Sequence, residues 1–285
     1  MEAIHPQTQI GLVTLTVSDL RRSLSFYTRN IGLKLLSQED QAAVLGTAER
    51  PLLHLVEQPG AQHFPNTTGL YHFALLLPSR VELARSLKHM IETETPLGGF
   101  SDHSVSEAIY LSDPDGNGIE IYRDRRRDEW PMLNGRLQMN TLPLDLQGLI
   151  GELNGRTPAW DGLSAGTKMG HIHLHIRDVD EAEAFYCDVL GFERIMRYGP
   201  SAGFVSAGGY HHHIGLNTWA GHGAPPPPSG AVGLRHYQIL LPNEAALAAV
   251  KTRLDANEIH YQAENGVIAL QDPSQNGLHL QVLAV

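Results

Sequence analysis

The amino-acid sequence predicts an α+β fold made of four repeats of one strand–helix–strands unit, and three observations carry that expectation. The chain repeats itself internally, alternating apolar strands lead into capped helices, and each half closes on a hairpin marked by Asp-Pro-x-x-Asn-Gly. Val17-Ser18-Asp19, Phe26-Tyr27 and Gly32-Leu33 return as Ile176-Arg177-Asp178, Phe185-Tyr186 and Gly191-Phe192, displaced by 159 residues at each step. Gly69-Leu70-Tyr71-His72-Phe73 returns 164 residues later as Gly233-Leu234-Arg235-His236-Tyr237. Asp113-Pro114 with Asn117-Gly118 returns as Asp272-Pro273 with Asn276-Gly277. Spacing kept over so many positions marks a duplication.

The first unit, residues 10–57, opens with the alternating strand GLVTLTV and passes into a helix capped by Ser18 or Asp19, with Leu20, Leu24 and Tyr27 on one face. Further strands run through Leu55. The second unit, 69–122, reads as the strand LYHFALLL, a helix from Ser79, and the hairpin Ser106 to Tyr122. Units 170–218 and 233–284 repeat this plan. The expected organisation is therefore an N-terminal half, 1–122, a connector, 123–169, and a C-terminal half, 170–285. The connector carries Trp130-Pro131 and the run from Pro158 to Gly162 and is long enough to wrap or cross the molecule. Pro225 to Pro228 reads as an extended spacer.

Composition narrows the function. The chain has 285 residues, ample apolar content for a core and a formal charge of −10. That charge argues against a nucleic-acid or anionic-membrane partner; the one basic run, Arg123 to Arg127, is short and mixed in sign. No apolar run approaches a membrane span and no basic leader precedes an apolar one, so the expected compartment is the cytoplasm. A single cysteine, Cys187, excludes an intramolecular disulfide and a thiolate-rich zinc site. Any metal must use His and carboxylates, and the sixteen histidines make their placement informative.

In the hairpin SEAIYLSDPDGNGIEIY, strand alternation sets Glu120 and Tyr122 on one face and Ile119 and Ile121 on the other. Taken alone, Glu120 reads as a solvated strand residue. The openings D-x-x-x-x-x-x-F-Y-x-x-x-x-G-[LF] and the closing D-P-x-x-N-G-x-E resemble the vicinal oxygen chelate superfamily of glyoxalases, bleomycin-resistance proteins and type I extradiol dioxygenases. GHIHLHIRD at 170–178 and GGYHHHIGLNTW at 208–219 strengthen the likeness to four-module catechol 2,3-dioxygenase-like proteins. The resemblance covers nearly the whole chain. It implies four βαβββ modules paired into two open β-barrels, with a divalent metal held by one His from each first strand and a Glu from a last strand.

Carried over residue by residue, the first-strand ligand position falls on Leu12, His72, His171 and His236 in the four modules, and the closing carboxylate on Glu120 in the second and His279 in the fourth. Pairing modules in chain order leaves both sets incomplete, one of them being His171, His236 and His279. Pairing the second with the third gives His72, Glu120 and His171, the two-His, one-carboxylate set of non-haem Fe(II) oxygenases. The resemblance further implies His212 as a proton relay, with His211 and His213 as alternatives, and Tyr110 with His103 as substrate contacts. His173 and His175 are expected to pack. The implied function is extradiol cleavage of a small aromatic diol by O2 at Fe(II), with Mn(II), Zn(II) or Ni(II) as alternative metals. Rivals are a glyoxalase-like isomerase or thiol transferase and a metal-free binder of aromatics; a homo-oligomer is compatible with all three.

Overall fold

The computed structural model describes residues 3–155 and 159–283. The first repeat comprises β1 (Gln9–Val17), α1 (Leu20–Ser25), β2 (Lys34–Gln38), β3 (Ala42–Gly46) and β4 (Pro51–Glu57); the second comprises β5 (Gly69–Leu77), α2 (Arg80–Glu92), β6 (Gly99–Asp102), β7 (Ser106–Ser112) and β8 (Gly118–Asp124). The connector forms a small ribbon, β9 (Met132–Leu133) and β10 (Arg136–Leu137), and α3 (Leu146–Gly151). The third repeat follows as β11 (Lys168–His175), α4 (Val179–Glu183), β12 (Glu193–Tyr198), β13 (Ala202–Ser206) and β14 (Ile214–Asn217). The fourth is β15 (Gly233–Leu241), α5 (Glu244–Ala256), β16 (Gln262–Glu264), β17 (Val267–Gln271) and β18 (Gly277–Val282). Among the described residues, no helix is long and apolar enough to cross a membrane.

These strands make two eight-stranded sheets, each curled as half of an open barrel. One runs β12-β13-β14-β11-β5-β8-β7-β6, the other β16-β17-β18-β15-β1-β4-β3-β2. Strands of the second and third repeats thus share one sheet, and those of the first and fourth share the other. The fold is the expected α+β arrangement of four βαβββ modules.

Backbone proximity groups the residues into two compact units, Thr16–Gln62 with His72–Met169, and Met1–Leu15 with His63–Tyr71 and Gly170–Val285. In the first of these, Phe73, Leu75, Ile109, Ile119 and Ile121 are fully buried on one sheet face while α2 buries Leu83, Ala84, Leu87 and Met90. Each of these leucine, isoleucine, phenylalanine and methionine side chains contributes about 1.5–3 kcal/mol on burial. The opposite face carries Ala74, Ala108 and Tyr122, with Leu76 and Tyr110 against them.

The repeated sequence marks have structural causes. Asp19 and Asp178 cap their helices, each carboxylate accepting from a backbone N–H three residues on at 2.9 Å. Each helix then widens into a π turn, Phe26–Ile31 or Ala184–Val189, closed by a left-handed glycine, Gly32 at φ 88° and Gly191 at φ 91°. The Phe-Tyr pair and the Asp-Pro turn belong together. Tyr27 donates its hydroxyl to Asp113 at 2.9 Å, and Asp113 also accepts from the backbone of Asp115 and from the backbone and side chain of Asn117. In the other unit Tyr186 and Asp272 do the same with Ser274 and Asn276. Burial pushes the Asp113 carboxyl above its ordinary range against these four donors, and burial followed by the Asp113 charge pushes the Tyr27 phenol well up. Asp113→Ala leaves a buried hydroxyl and two backbone donors unanswered, so a loss of about 3 kcal/mol or more is expected in urea unfolding. A loss below about 1 kcal/mol would show that the turn is not held this way.

Candidate metal centre and active site

In the second repeat, β5 and β8 run parallel with Ala74 opposite Glu120 and His72 opposite Gly118. The two-residue offset keeps His72 and Glu120 on one face, where His72 Nε2 lies 3.1 Å from a Glu120 oxygen. Both are buried, at 6 % and 3 % exposure. The antiparallel β7 then sets Tyr110 directly opposite Glu120, with its ring centroid 5.8 Å from that of His72. The Tyr110 hydroxyl is 2.7 Å from His103 Nε2, and His103 Nδ1 is 2.7 Å from the Asn140 carbonyl. Glu107, one strand alternation away, faces the other side and is neutralised by Arg80 and Arg123. Strand parity therefore separates a structural carboxylate from one set beside an imidazole.

In the third repeat, β11 carries His171, His173 and His175 at alternate positions. The His171 ring lies 4.1 Å from that of His212 and 6.2 Å from that of His211. His211 and His212 bring their Nδ1 atoms to 2.8 Å. His213 turns away: its Nδ1 meets the Ser206 hydroxyl at 2.9 Å and the Ala207 N–H at 3.2 Å, which gives it a packing role. His173 lies flat over Gly215, where a Cβ would come within 2.7 Å of the ring, and it also meets Phe204, Tyr71 and Trp219. His175 contacts the Asn217 side chain at 2.7 Å. Phe204 in turn abuts His212 at 5.1 Å. The result is an aromatic wall ending at the exposed Trp219 and Tyr71.

Among the described residues, one set of three metal-ligating side chains offers ligand atoms all within 4.8 Å of one another: His72, Glu120 and His171, all buried. Two neutral nitrogen donors and one anionic oxygen form a donor set suited to a divalent first-row metal. Burial pushes the Cys187 thiol up to about 12, so it supplies neither a ligand nor a nucleophile near neutral pH. His89 bonds the Arg29 carbonyl and stacks on Trp160, and His222 pairs with Asp178. Sequence reasoning missed Asn140, Phe204, Tyr71 and Trp219. Only the aromatic character of the last three offered a signal.

The Glyoxalase/Bleomycin resistance protein/Dioxygenase superfamily matches residues 9–121 and again 168–280. The chain belongs to that superfamily. It is 46% identical over 278 residues to a catechol-2,3-dioxygenase of Bacillus subtilis, covering 96% of each chain, and so is a catechol-2,3-dioxygenase-like member. A lactoylglutathione lyase of Escherichia coli is 26% identical over 39% of this chain and 89% of its own length. The fold is shared with a solved Bacillus subtilis structure (TM-score 0.67, 14% identity, 99% of this chain and 86% of that one). It is also shared with maize glyoxalase I (TM-score 0.56, 15% identity, 97% and 92%).

The other sheet carries different side chains on the same register. β15 and β18 pair in the same parallel register as β5 and β8, Tyr237 opposite Leu278 where the latter pair sets Phe73 opposite Ile119. His236 and His279 therefore occupy the places of His72 and Glu120, and Ala269, opposite His279, that of Tyr110. The two imidazoles stack at 3.8 Å with 18° between their planes, and Thr14 bonds His236 at 3.0 Å. Burial lowers His279 below the usual imidazole range. The same backbone stands without a carboxylate or a phenol, so Glu120 and Tyr110 are not demanded by folding.

Proposed function

We propose that this protein is an extradiol dioxygenase that opens the ring of a catechol-type substrate beside its diol, using O2 and a single non-haem Fe(II) held by His72, His171 and Glu120. The observation that carries the reading is the mutual spacing of those three buried donors in a chain so similar to a catechol-2,3-dioxygenase. His72, His171 and Glu120 would hold the metal, and a donor set of two His and one carboxylate would leave it able to take a chelating diol and O2. Bound iron supplies a Lewis acid that lowers the pKa of the substrate hydroxyls and a redox partner for dioxygen.

The protein's own side chains supply the rest. His212, against the His171 ring, is suited to take a proton from the substrate and return it, because imidazole changes charge near neutral pH. The wall of Phe204, His173, Tyr71 and Trp219 offers flat, low-entropy surface for an aromatic ring. Tyr110 and His103 stand beside the Glu120 end of the set. One cysteine and a ferrous cofactor both suit the reducing cytoplasm.

Protein purified without oxygen is expected to contain about one iron per chain and to give a yellow ring-opened product from catechol with stoichiometric O2 uptake. Zn, Ni or Mn in place of iron, with isomerisation of a hemithioacetal to a thioester instead of O2 uptake, would replace this reading with the glyoxalase-like one. Metal-free protein that binds aromatics unchanged would replace it with the binder.

A further inference from the structure

Resting on that reaction, we propose that the substrate is a catechol whose side chain carries a neutral carbonyl oxygen, and that the buried amide of Asn217 recognises it. Asn217 is fully buried, and its Nδ2 group meets no acceptor among the described residues. The other end of the amide fixes its orientation. The backbone N–H of Trp219 donates to Asn217 Oδ1 at 3.0 Å, and His175 Nδ1 contacts the same oxygen at 2.7 Å. A backbone N–H only donates, so the atom it meets is the oxygen, and Nδ2 is the atom left over.

A buried amide N–H without an acceptor is costly, and folded proteins keep few of them. Closing the turn at Trp219 does not account for the residue, because aspartate closes such a turn as well. What asparagine adds is the donor. Strand register sets that donor apart from the metal ligands. On the face that carries His171, the first row beyond it is His173, Gly215 and Phe204, and the next is His175, Asn217 and Ala202. This second row lies about 13 Å along β11 from His171. A diol anchored at the His171 end leaves that row to whatever its ring carries.

The lining decides which acceptor fits. Tyr71 meets His173, His175 and Trp219 with each ring centroid 5.1 Å away. These rings and the amide hold no fixed positive charge, so a carboxylate in their midst would lose its water without gaining a cation. A hydrocarbon would leave Nδ2 unanswered. An ester, amide or ketone oxygen satisfies the donor and brings no charge. Tyr71 is 40 % exposed, and a side chain entering the row does so by turning that ring aside.

Binding is read without turnover, by calorimetry on protein loaded with Zn(II). The probes are catechols bearing, at ring carbon 3 or 4, an ethyl propanoate chain, a hexyl chain of the same length, or a propanoate. Asn217→Asp keeps the oxygen that Trp219 and His175 use and puts an acceptor where the donor was. The ratio of ester to hexyl affinity is expected to fall about tenfold or more in this variant. An unchanged ratio overturns the proposal, and so does a propanoate that binds the unaltered protein more tightly than its ester. A second measurement needs no variant to fold. Difference infrared spectra of the carbon-13-labelled ester on the unaltered protein should place its carbonyl band below the position found in an apolar solvent. A band at the apolar-solvent position leaves the amide to the rings around it and overturns the proposal. Failure of the dioxygenase reading would appear separately, as absence of catechol cleavage by the iron-loaded protein whatever the ester binding shows.

Discussion

Glu120→Ala should cost the protein its metal and its turnover together. Glu120 carries the only carboxylate of the three-donor set, and its charge offsets that of a divalent ion in a buried place where two neutral imidazoles cannot. Removing groups that merely orient a metal ligand costs about tenfold to a hundredfold in affinity, so loss of the ligand itself should exceed about a hundredfold. The fold should survive, because the matching position of the other sheet is His279 in an intact strand. The measurement is iron content after dialysis, with urea unfolding alongside. His279→Ala serves as the comparison and should keep its iron. Glu120→Ala protein that retains iron and turnover would remove Glu120 from the centre.

His212→Phe should separate metal binding from chemistry. Phenylalanine fills the place against His171 and Phe204 but can neither take nor give a proton. Loss of a general acid–base is worth about two to four orders of magnitude. Iron content is therefore expected to stay near that of the unaltered protein while kcat falls about a hundredfold or more. Unchanged turnover, with a large loss instead in His211→Phe, would transfer the role to the neighbouring imidazole, whose Nδ1 lies 2.8 Å away.

How far the sequence alone reaches depends on what kind of interaction is at stake. Repeats and strand parity are properties of the chain, so the four modules and the shared face of Glu120 and Tyr122 can be read directly. The grouping of His72, Glu120 and His171 was accessible because the family resemblance marks the ligand positions and the duplication supplies a control: the matching positions Leu12, His236 and His279 lack a carboxylate. Parity fails in the loop from Tyr210 to His213, which lies ahead of β14, so adjacent histidines cannot be sorted there without coordinates. In space His213 turns to Ser206 and His212 to His171. Asn140 was invisible for a deeper reason: it meets His103 through a backbone carbonyl, which every residue has. Tyr71 and Trp219 meet His173 only through the folded chain, and no local pattern announces that encounter. The π turns were likewise read as ordinary helix, since an added residue in a turn leaves the apolar face nearly unchanged.

The most direct test of the central claim is diffraction from Fe(II)-loaded crystals at the iron absorption edge. The account predicts one anomalous peak per chain at bonding distance, about 2.0–2.2 Å, from His72, His171 and Glu120. A peak at the His236–His279 pair or within the His211–His213 run, with none at those three residues, would contradict it.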